Sequence, residues 1–518
     1  MKDVSEGNNI VNQKVESRRR PVVNSLVETY EKYNSLSILI AVVSVLTILI
    51  IAGDECRQCF SKVETLKSNE QPKYSSKKFW IYDKIPDGGH LHHVNVVLDR
   101  LGYKKDLNTS DWDLLWAHAY PFRTLYQQLK NLKPHQRVNH FPGSGYITTK
   151  VDLATTDSQY IPPAFKLPGD KEKLLKYAEQ YQNSKFVQKN NHHRNIKVED
   201  IHHLDLDTEG TFIQKFVDNP LLINGHKFDI GIYTVITSVD PLRVYIYNSE
   251  ALLRFCPKKY FPFDPSNLDK YVVGDDYLPV WEVPALDYYY NNLGFGMKDS
   301  LNAYLRVLGK DPSVIWEQIE DSIRQLILIK EPLILDVLKR FKSKNNFFEM
   351  MRFDFIVDED LKVFLLEANM SPNLSSAHYP PNQLIYEQVL YNVLGLVGIG
   401  EKIQRDSLAV RSKAEEDMFV ADKNIAVFPS ICNSALCRSS CVSPDCQLCK
   451  TCLSPETRAD LVRAYKEHAN RGDCKRIFPP PMVQEEAKKS INLENYSAEN
   501  QLHYKWFQGK CLLDKSWC

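Results

Sequence analysis

The chain has 518 residues, 43% hydrophobic and 25% charged, with Lys plus Arg equal to Asp plus Glu at 65 each. This is an ordinary globular balance with apolar content for a large core, in roughly two to four folding units. It excludes a global charge suited to nucleic acid or to an acidic partner, so electrostatic recognition has to come from local patches.

Met1 to Asn34 is polar and reads as a tail. Residues 35–53 carry no charge, and the run SILIAVVSVLTILIIAG is nearly all apolar. About 20 apolar residues, each rising about 1.5 Å, span a hydrocarbon core of about 30 Å. One transmembrane helix is therefore expected over 35–53. A cleaved signal peptide starts nearer the terminus, and a core helix would show a polar face. Arg18, Arg19, Arg20 and Lys32 precede the run, and Asp54 and Glu55 follow it. These flanks favour a single-pass type II orientation, with the C-terminal part in the lumen or outside. Residues 54–76 read as a charged stalk.

Folded sequence begins near Lys77. KKFWIYD and DWDLLW read as strands. HHVNVVLDRLGY repeats Val94, Val97, Leu98 and Leu101 at helical spacing, and FRTLYQQLKNL reads as another helix. The alternation predicts a small α/β lobe over 77–165. A larger α+β core is expected over 166–400. There KFDIGIYTVITS and LRVYIYN are strands joined by a Ser-Val-Asp-Pro turn. Val314 to Lys342 is helical, with Ile315, Ile319, Ile323, Leu326 and Ile327 on one side, and Leu384 to Leu396 is a closing helix. MMRFDFIVD and LKVFLLEAN form a hairpin around Asp358-Glu359-Asp360.

Residues 401–518 form a cysteine-rich C-terminal region, with nine of the 12 cysteines between Cys432 and Cys518. Cys446-x-x-Cys449-x-x-Cys452 has zinc-ligand spacing, yet disulfides fit it equally well. A lumenal location favours disulfides. Cys511 and Cys518 can pair with each other or with upstream thiols. His90, His92, His93, His192, His193, His202 and His203 read as loop residues.

The hairpin carries the most chemistry. Glu367 and Asn369 share one face of a strand, while Phe364, Leu366 and Ala368 point the other way into a core. Folding at Glu359 brings Asp354 opposite Leu365 to Glu367. Two carboxylates and an amide oxygen then converge, a hard-oxygen set that suits Mg²⁺ with nucleotide phosphates and water. The plain alternative is a hairpin with solvated charges.

The segment FFEMMRFDFIVDEDLKVFLLEANMSPNLSS, Phe347 to Ser376, resembles the metal-binding hairpin of the tubulin tyrosine ligase-like family. In the family's order, DWDLLW (Asp111 to Trp116) resembles its early Trp-rich strand, HQRVNHFPGSGYITTK (His135 to Lys150) its His-Gln-x-x-Asn-His-Phe-Pro block, and Phe212 to Phe255 its central nucleotide-binding block. The resemblance covers about 77–400. It implies an ATP-grasp ligase fold, Mg-ATP as cofactor, and activation of a carboxylate as an acyl phosphate that an amine attacks. A free amino acid, by family default glutamate, is then added to protein glutamate side chains, with tubulin or microtubules as default acceptor. By position, Asp354, Glu367 and Asn369 resemble the Mg²⁺ ligands. Gln214, Lys215, Phe216 and Val217 resemble the segment lining the adenine. Lys227 and Asp229 resemble nucleotide contacts, and Lys189 resembles the lysine before the family's glycine-rich loop. Arg254 resembles an arginine facing the phosphates or the incoming amino acid. Arg254 paired with Glu250, and Lys227 with Asp229 as a surface pair, are the structural alternatives.

Three departures stand out. Lys189 to Val198, KNNHHRNIKV, has no glycine where the family's loop brings backbone amides to phosphate. Arg194 and the histidines are the candidates to compensate. Gly231 stands where the family has an arginine. Arg352 stands where it has a glycine. The rival reading is a catalytically inactive, membrane-tethered ATP-grasp binding module.

Overall fold

The computed structural model describes residues 43–44, 77–106, 111–182, 184–190, 197–400 and 418–518. Apart from Val43 and Ser44, the expected transmembrane run and the stalk lie outside the described residues, as do His192, His193 and Arg194. Among the described residues, no helix is long and apolar enough to cross a membrane.

Among the described residues, three sheets carry the architecture. The first joins β1 (Lys78–Tyr82), β2 (Lys104–Lys105), β3 (Leu114–Ala117) and β4 (Arg137–Val138), all parallel, in the order β2-β1-β3-β4. The helix His92–Arg100 buries Val94, Val97 and Leu98, as its spacing requires. The second sheet is antiparallel: β5 (Ala164–Lys166), β6 (Phe186–Asn190), β7 (Lys197–Glu199) and β8 (Thr211–Lys215), in the order β5-β8-β6-β7.

The third sheet is built around β9 (Phe228–Val239), a 12-residue strand of β-branched and aromatic residues. One edge of β9 pairs with β10 (Leu242–Tyr247) and then β11 (Leu252–Phe255), which continues to β12 (Leu278–Pro279). The other edge pairs with β13 (Glu349–Val357), itself paired with β14 (Val363–Asn369). β15 (Cys474–Phe478) closes the sheet beside β10. The helix Ser313–Leu338 buries Ile315, Ile319, Ile323, Leu326 and Ile327, and the helix Asn382–Leu396 closes the core.

One expectation about the hairpin needs correcting. Phe355 pairs with Leu365 and Asp354 with Glu367, so two steps on β14 answer one on β13. Leu366 is the extra residue of a β-bulge, and it shifts the alternation by one. Val363 and Leu365 face the core before the bulge and Ala368 after it, whereas Phe364 and Leu366 are only half-buried.

The cysteine-rich region is not a detached tail. Ser75 to Cys518 forms one compact unit. Within it β15 belongs to the central sheet, and the helix Pro455–Asn470 places Glu467 against Arg243 of β10. The zinc alternative is overturned. Cys449, Cys446 and Cys452 bond to Cys432, Cys437 and Cys441 respectively, and Cys511 bonds to Cys518. Thiols consumed in this way cannot be zinc thiolates, and among the described residues no three His, Cys, Asp or Glu side chains group as a metal site.

Candidate functional site

A cleft of about 1220 Å³, including its open mouth, lies between the second sheet and the central sheet. β6 contributes Lys189, and β8 and the residues after it contribute Gln214, Lys215, Phe216 and Val217. The central sheet contributes Lys227 and Asp229 at the start of β9, Arg254 from β11, Asp354 from β13, and Leu366 and Glu367 from β14. Antiparallel pairing places these side by side: Arg254 is opposite Asp229, and Asp354 is opposite Glu367. The bulge lets Leu366 and Glu367 both face the cleft.

The polar contacts separate roles that sequence could not. Arg254 does not pair with Glu250. Its Nε and Nη2 donate to Asp229 at 2.9 and 2.7 Å, and Nη2 lies 3.2 Å from Asp354 Oδ2. Glu250 instead accepts the backbone N–H groups of Met297 and Lys298. Lys227 and Asp229 are not a surface pair. Lys227 is buried, donates to the Tyr271 carbonyl at 2.6 Å, and lies over the Phe216 ring. Gln214 accepts from Lys189 Nζ at 3.2 Å and donates to the Pro162 carbonyl, so its side chain is committed to the wall. Phe216 packs edge-on against Tyr271.

Asp354 sits in a cage of donors. Arg352 Nε and Nη2 reach its two oxygens at 2.6 and 2.9 Å, and Asn369 Nδ2 donates to Oδ2 at 3.0 Å. Burial works to raise its pKa, but Arg352 and Arg254 outweigh burial and hold it below the usual range. Asp229 goes the other way: burial pushes it up to about 6, against the opposing pull of Arg254. Burial lowers Lys189 to about 8, with the Glu367 carboxylate partly offsetting it.

Among the described residues, five cationic side chains line the cleft (Lys150, Lys189, Lys215, Lys227 and Arg254) against three carboxylates, Asp229, Asp354 and Glu367. The excess of positive charge suits a polyphosphate, and the apolar wall of Val187, Phe216 and Ile356 suits a flat ring. For Mg²⁺, Asp354 and Glu367 are register partners across the strand pair and both line the cleft, and Asn369 donates to Asp354 beside them. Few protein ligands with phosphate and water completing the shell is the usual magnesium arrangement, so the donor set fits.

The model of the tubulin-tyrosine ligase family matches residues 127–405. The chain belongs to the tubulin-tyrosine ligase family. A Caenorhabditis elegans protein named probable tubulin polyglutamylase ttll-15 is 44% identical over 447 residues, covering 83% of this chain and 84% of that protein. Human tubulin monoglutamylase TTLL4 is 27% identical over 479 residues, 82% of this chain but 38% of its own length. Mouse tubulin polyglutamylase TTLL6 is 28% identical over 328 residues, 59% of this chain and 39% of its own length.

Of the residues singled out by family resemblance, Lys189, Gln214, Lys215, Phe216, Val217, Lys227, Asp229, Arg254, Asp354 and Glu367 meet at this one cleft. Asn369 stands behind Asp354, and Arg194 lies outside the described residues. Sequence reasoning missed Lys150. Its Nζ lies 3.1 Å from Glu367 Oε1, from the start of the short helix Lys150–Ala154. The signal was present: Lys150 ends the His135 to Lys150 block that carries the resemblance.

Proposed function

We propose that the cleft binds Mg-ATP and that the chain is an ATP-dependent carboxylate–amine ligase, adding glutamate to glutamate side chains of tubulin. The observation that carries this is the convergence of five cations and three carboxylates on one apolar-walled cleft, in a chain of this family. The names of its relatives, tubulin polyglutamylases and monoglutamylases, support the amino acid and the acceptor.

Bound magnesium would supply charge neutralisation for the phosphates, held by Glu367 and Asp354 with Asn369 beside them. The chain's own residues do the rest. Lys189 and Lys150 present cations to the phosphate chain. Phe216 and Val217 offer an apolar bed for the base. Arg254, locked on Asp229 and Asp354, keeps a planar cation where a carboxylate or phosphoryl oxygen would develop charge. The cleft walls hold the amine and the activated carboxyl in register.

The inactive binding module is the weaker reading, because the site keeps both its carboxylates and its cations. The test is calorimetric titration of the full chain with Mg-ATP, beside Glu367→Gln, followed by mass spectrometry of tubulin incubated with ATP and glutamate. Binding that weakens in the variant, with glutamate added to tubulin, supports the ligase. A folded chain that ignores Mg-ATP sinks it.

The membrane tether belongs to the same proposal: the uncharged run over 35–53 anchors the ligase as a type II protein. A second reading of the acceptor is favoured by the four disulfides among the described residues, a type of bond that persists in oxidising compartments. On the lumenal side, a glutamate-bearing protein met there would replace tubulin. Protease protection of the C-terminal region in sealed microsomes favours the lumenal acceptor, and digestion favours tubulin.

A further inference from the structure

Gly231 and Arg352 occupy neighbouring strands beside the metal-facing carboxylate. Gly231 lies directly opposite Asp354 in the β9–β13 register, and Arg352, two residues earlier, lies opposite Tyr233. Residues two apart on a strand share a face, so Arg352 and Asp354 emerge together, with the Gly231 backbone alongside. The Arg352 side chain runs over that backbone. A Cβ at residue 231 would come 2.9 Å from Arg352 Cδ, 3.3 Å from its Nε and 3.2 Å from Asp354 Oδ1. Glycine is needed here because of this close approach, since a side chain at 231 would have to displace the guanidinium.

From its seat Arg352 grips both oxygens of Asp354 through two parallel N–H groups, at 2.6 and 2.9 Å. Arg254 reaches the same carboxylate from β11 and also holds Asp229, so the two arginines have different geometry. Arg352 is 7% exposed and does not line the cleft, so it acts on a ligand only through Asp354.

We propose that positions 231 and 352 form a single guanidinium seat, filled here from β13. It fixes the Asp354 carboxylate toward the cleft and places a permanent cation behind it, making Arg352 a positioning residue for Mg-ATP. The inference rests on the nucleotide reading of the cleft. Because there is one seat, an arginine entering from β9 can fill it once Arg352 is removed: residue 231 lies beside Asp354, and its side chain would enter the volume Arg352 now occupies.

The test uses the full chain as wild type, Arg352→Gly, Gly231→Arg and the double variant, titrated calorimetrically with ATP in the presence of Mg²⁺. Thermal unfolding controls for the fold. Each single variant is expected to bind about ten- to a hundredfold more weakly, as for loss or distortion of a charge-assisted pair. The double variant should return to within about threefold of wild type, the signature of coupled positions. Arg352→Lys should not rescue, because one ammonium cannot hold two oxygens in parallel. Should Arg352→Gly fail to fold, Arg352→Gln takes its place, alone and paired with Gly231→Arg. Wild-type binding in the Arg352 variant, or a double variant no tighter than the poorer single, overturns the seat and leaves the nucleotide reading standing. A wild-type chain without Mg-ATP binding overturns both.

Discussion

Lys189 shows how a single residue's surroundings set the conditions under which the cleft works. Sequence placed it, by resemblance alone, before the loop that the family brings to phosphate. In the structure it lines the cleft from β6, donates to Gln214, and has its pKa pushed down to about 8 by burial. A phosphate chain binds the protonated lysine. Below about pH 8 the free site carries that charge, and as pH rises through about 8 the charge is lost. ATP affinity of the full chain should therefore fall between about pH 7 and 9, with proton uptake on binding near pH 8. Lys189→Met should bind more weakly at pH 7 and lose most of the slope. Calorimetry in buffers of different ionisation enthalpy reads both effects, and an unchanged slope in the variant would assign the titration to another group. Asp354 and Glu367 were legible as neighbours because one hairpin joins their two strands. Lys150 was not, because it reaches Glu367 from a helix far off in the sequence, and Arg352's grip on both Asp354 oxygens was not, because it runs over the Gly231 backbone of the neighbouring strand.

At the scale of elements, spacing read the helix Ser313–Leu338, which buries the face that its repeat predicts, whereas β13 is buried along its whole length and β9 everywhere but Asp229 and Thr237, so they were legible as strand runs rather than by alternation. It failed at Leu366, because a bulge is a property of the strand pair and leaves no mark in one strand's alternation. It also gave no sign of what anchors β13. Glu349, at the head of that strand, lies 2.6 Å from His140 Nδ1 and accepts the Phe141 N–H at 2.8 Å, and the Glu349 and His140 side chains are fully buried. This contact ties the His135 to Lys150 block, which carries Lys150, to the strand that carries Asp354. Burial raises the pKa of Glu349, and His140 opposes the rise. Glu349→Ala leaves a buried imidazole and a buried N–H without an acceptor. A loss of about 3–5 kcal/mol in stability is expected by urea unfolding, with a smaller loss for Glu349→Gln, which keeps an acceptor. Equal losses in the two variants would mean that side-chain volume matters more than the pair.

At the scale of the molecule, the composition shift near Gly400 suggested a boundary between a ligase core and a cysteine-rich tail. Chain topology crosses that line. β15 supplies the strand beside β10, and Glu467 accepts Arg243 Nε and Nη2 at 2.8 and 2.9 Å while also receiving Thr237 and Tyr245. Asn500 accepts the Leu242 N–H and donates to Glu331. Sequence could not show this, because cysteine content marks local cross-links rather than what a segment packs against. The three disulfides between Cys432 and Cys452 close loops within their own segment, whereas the bonds to the core are polar and buried. Arg243 is 1% exposed, so removing Glu467 strands a buried guanidinium. Glu467→Ala should cost about 3–5 kcal/mol, comparable with breaking other buried pairs. A fragment ending at Gly400 should fare worse, because it loses the same carboxylate and also bares the β10 edge, a template for aggregation. Circular dichroism and thermal unfolding of the 77–400 fragment beside the full chain measure this. A fragment that unfolds cooperatively near the full chain's midpoint and still binds Mg-ATP would make the C-terminal region an accessory. A fragment that aggregates or melts without cooperativity would make it the closing layer of the ligase, and would confine every measurement on the cleft to chains that retain it.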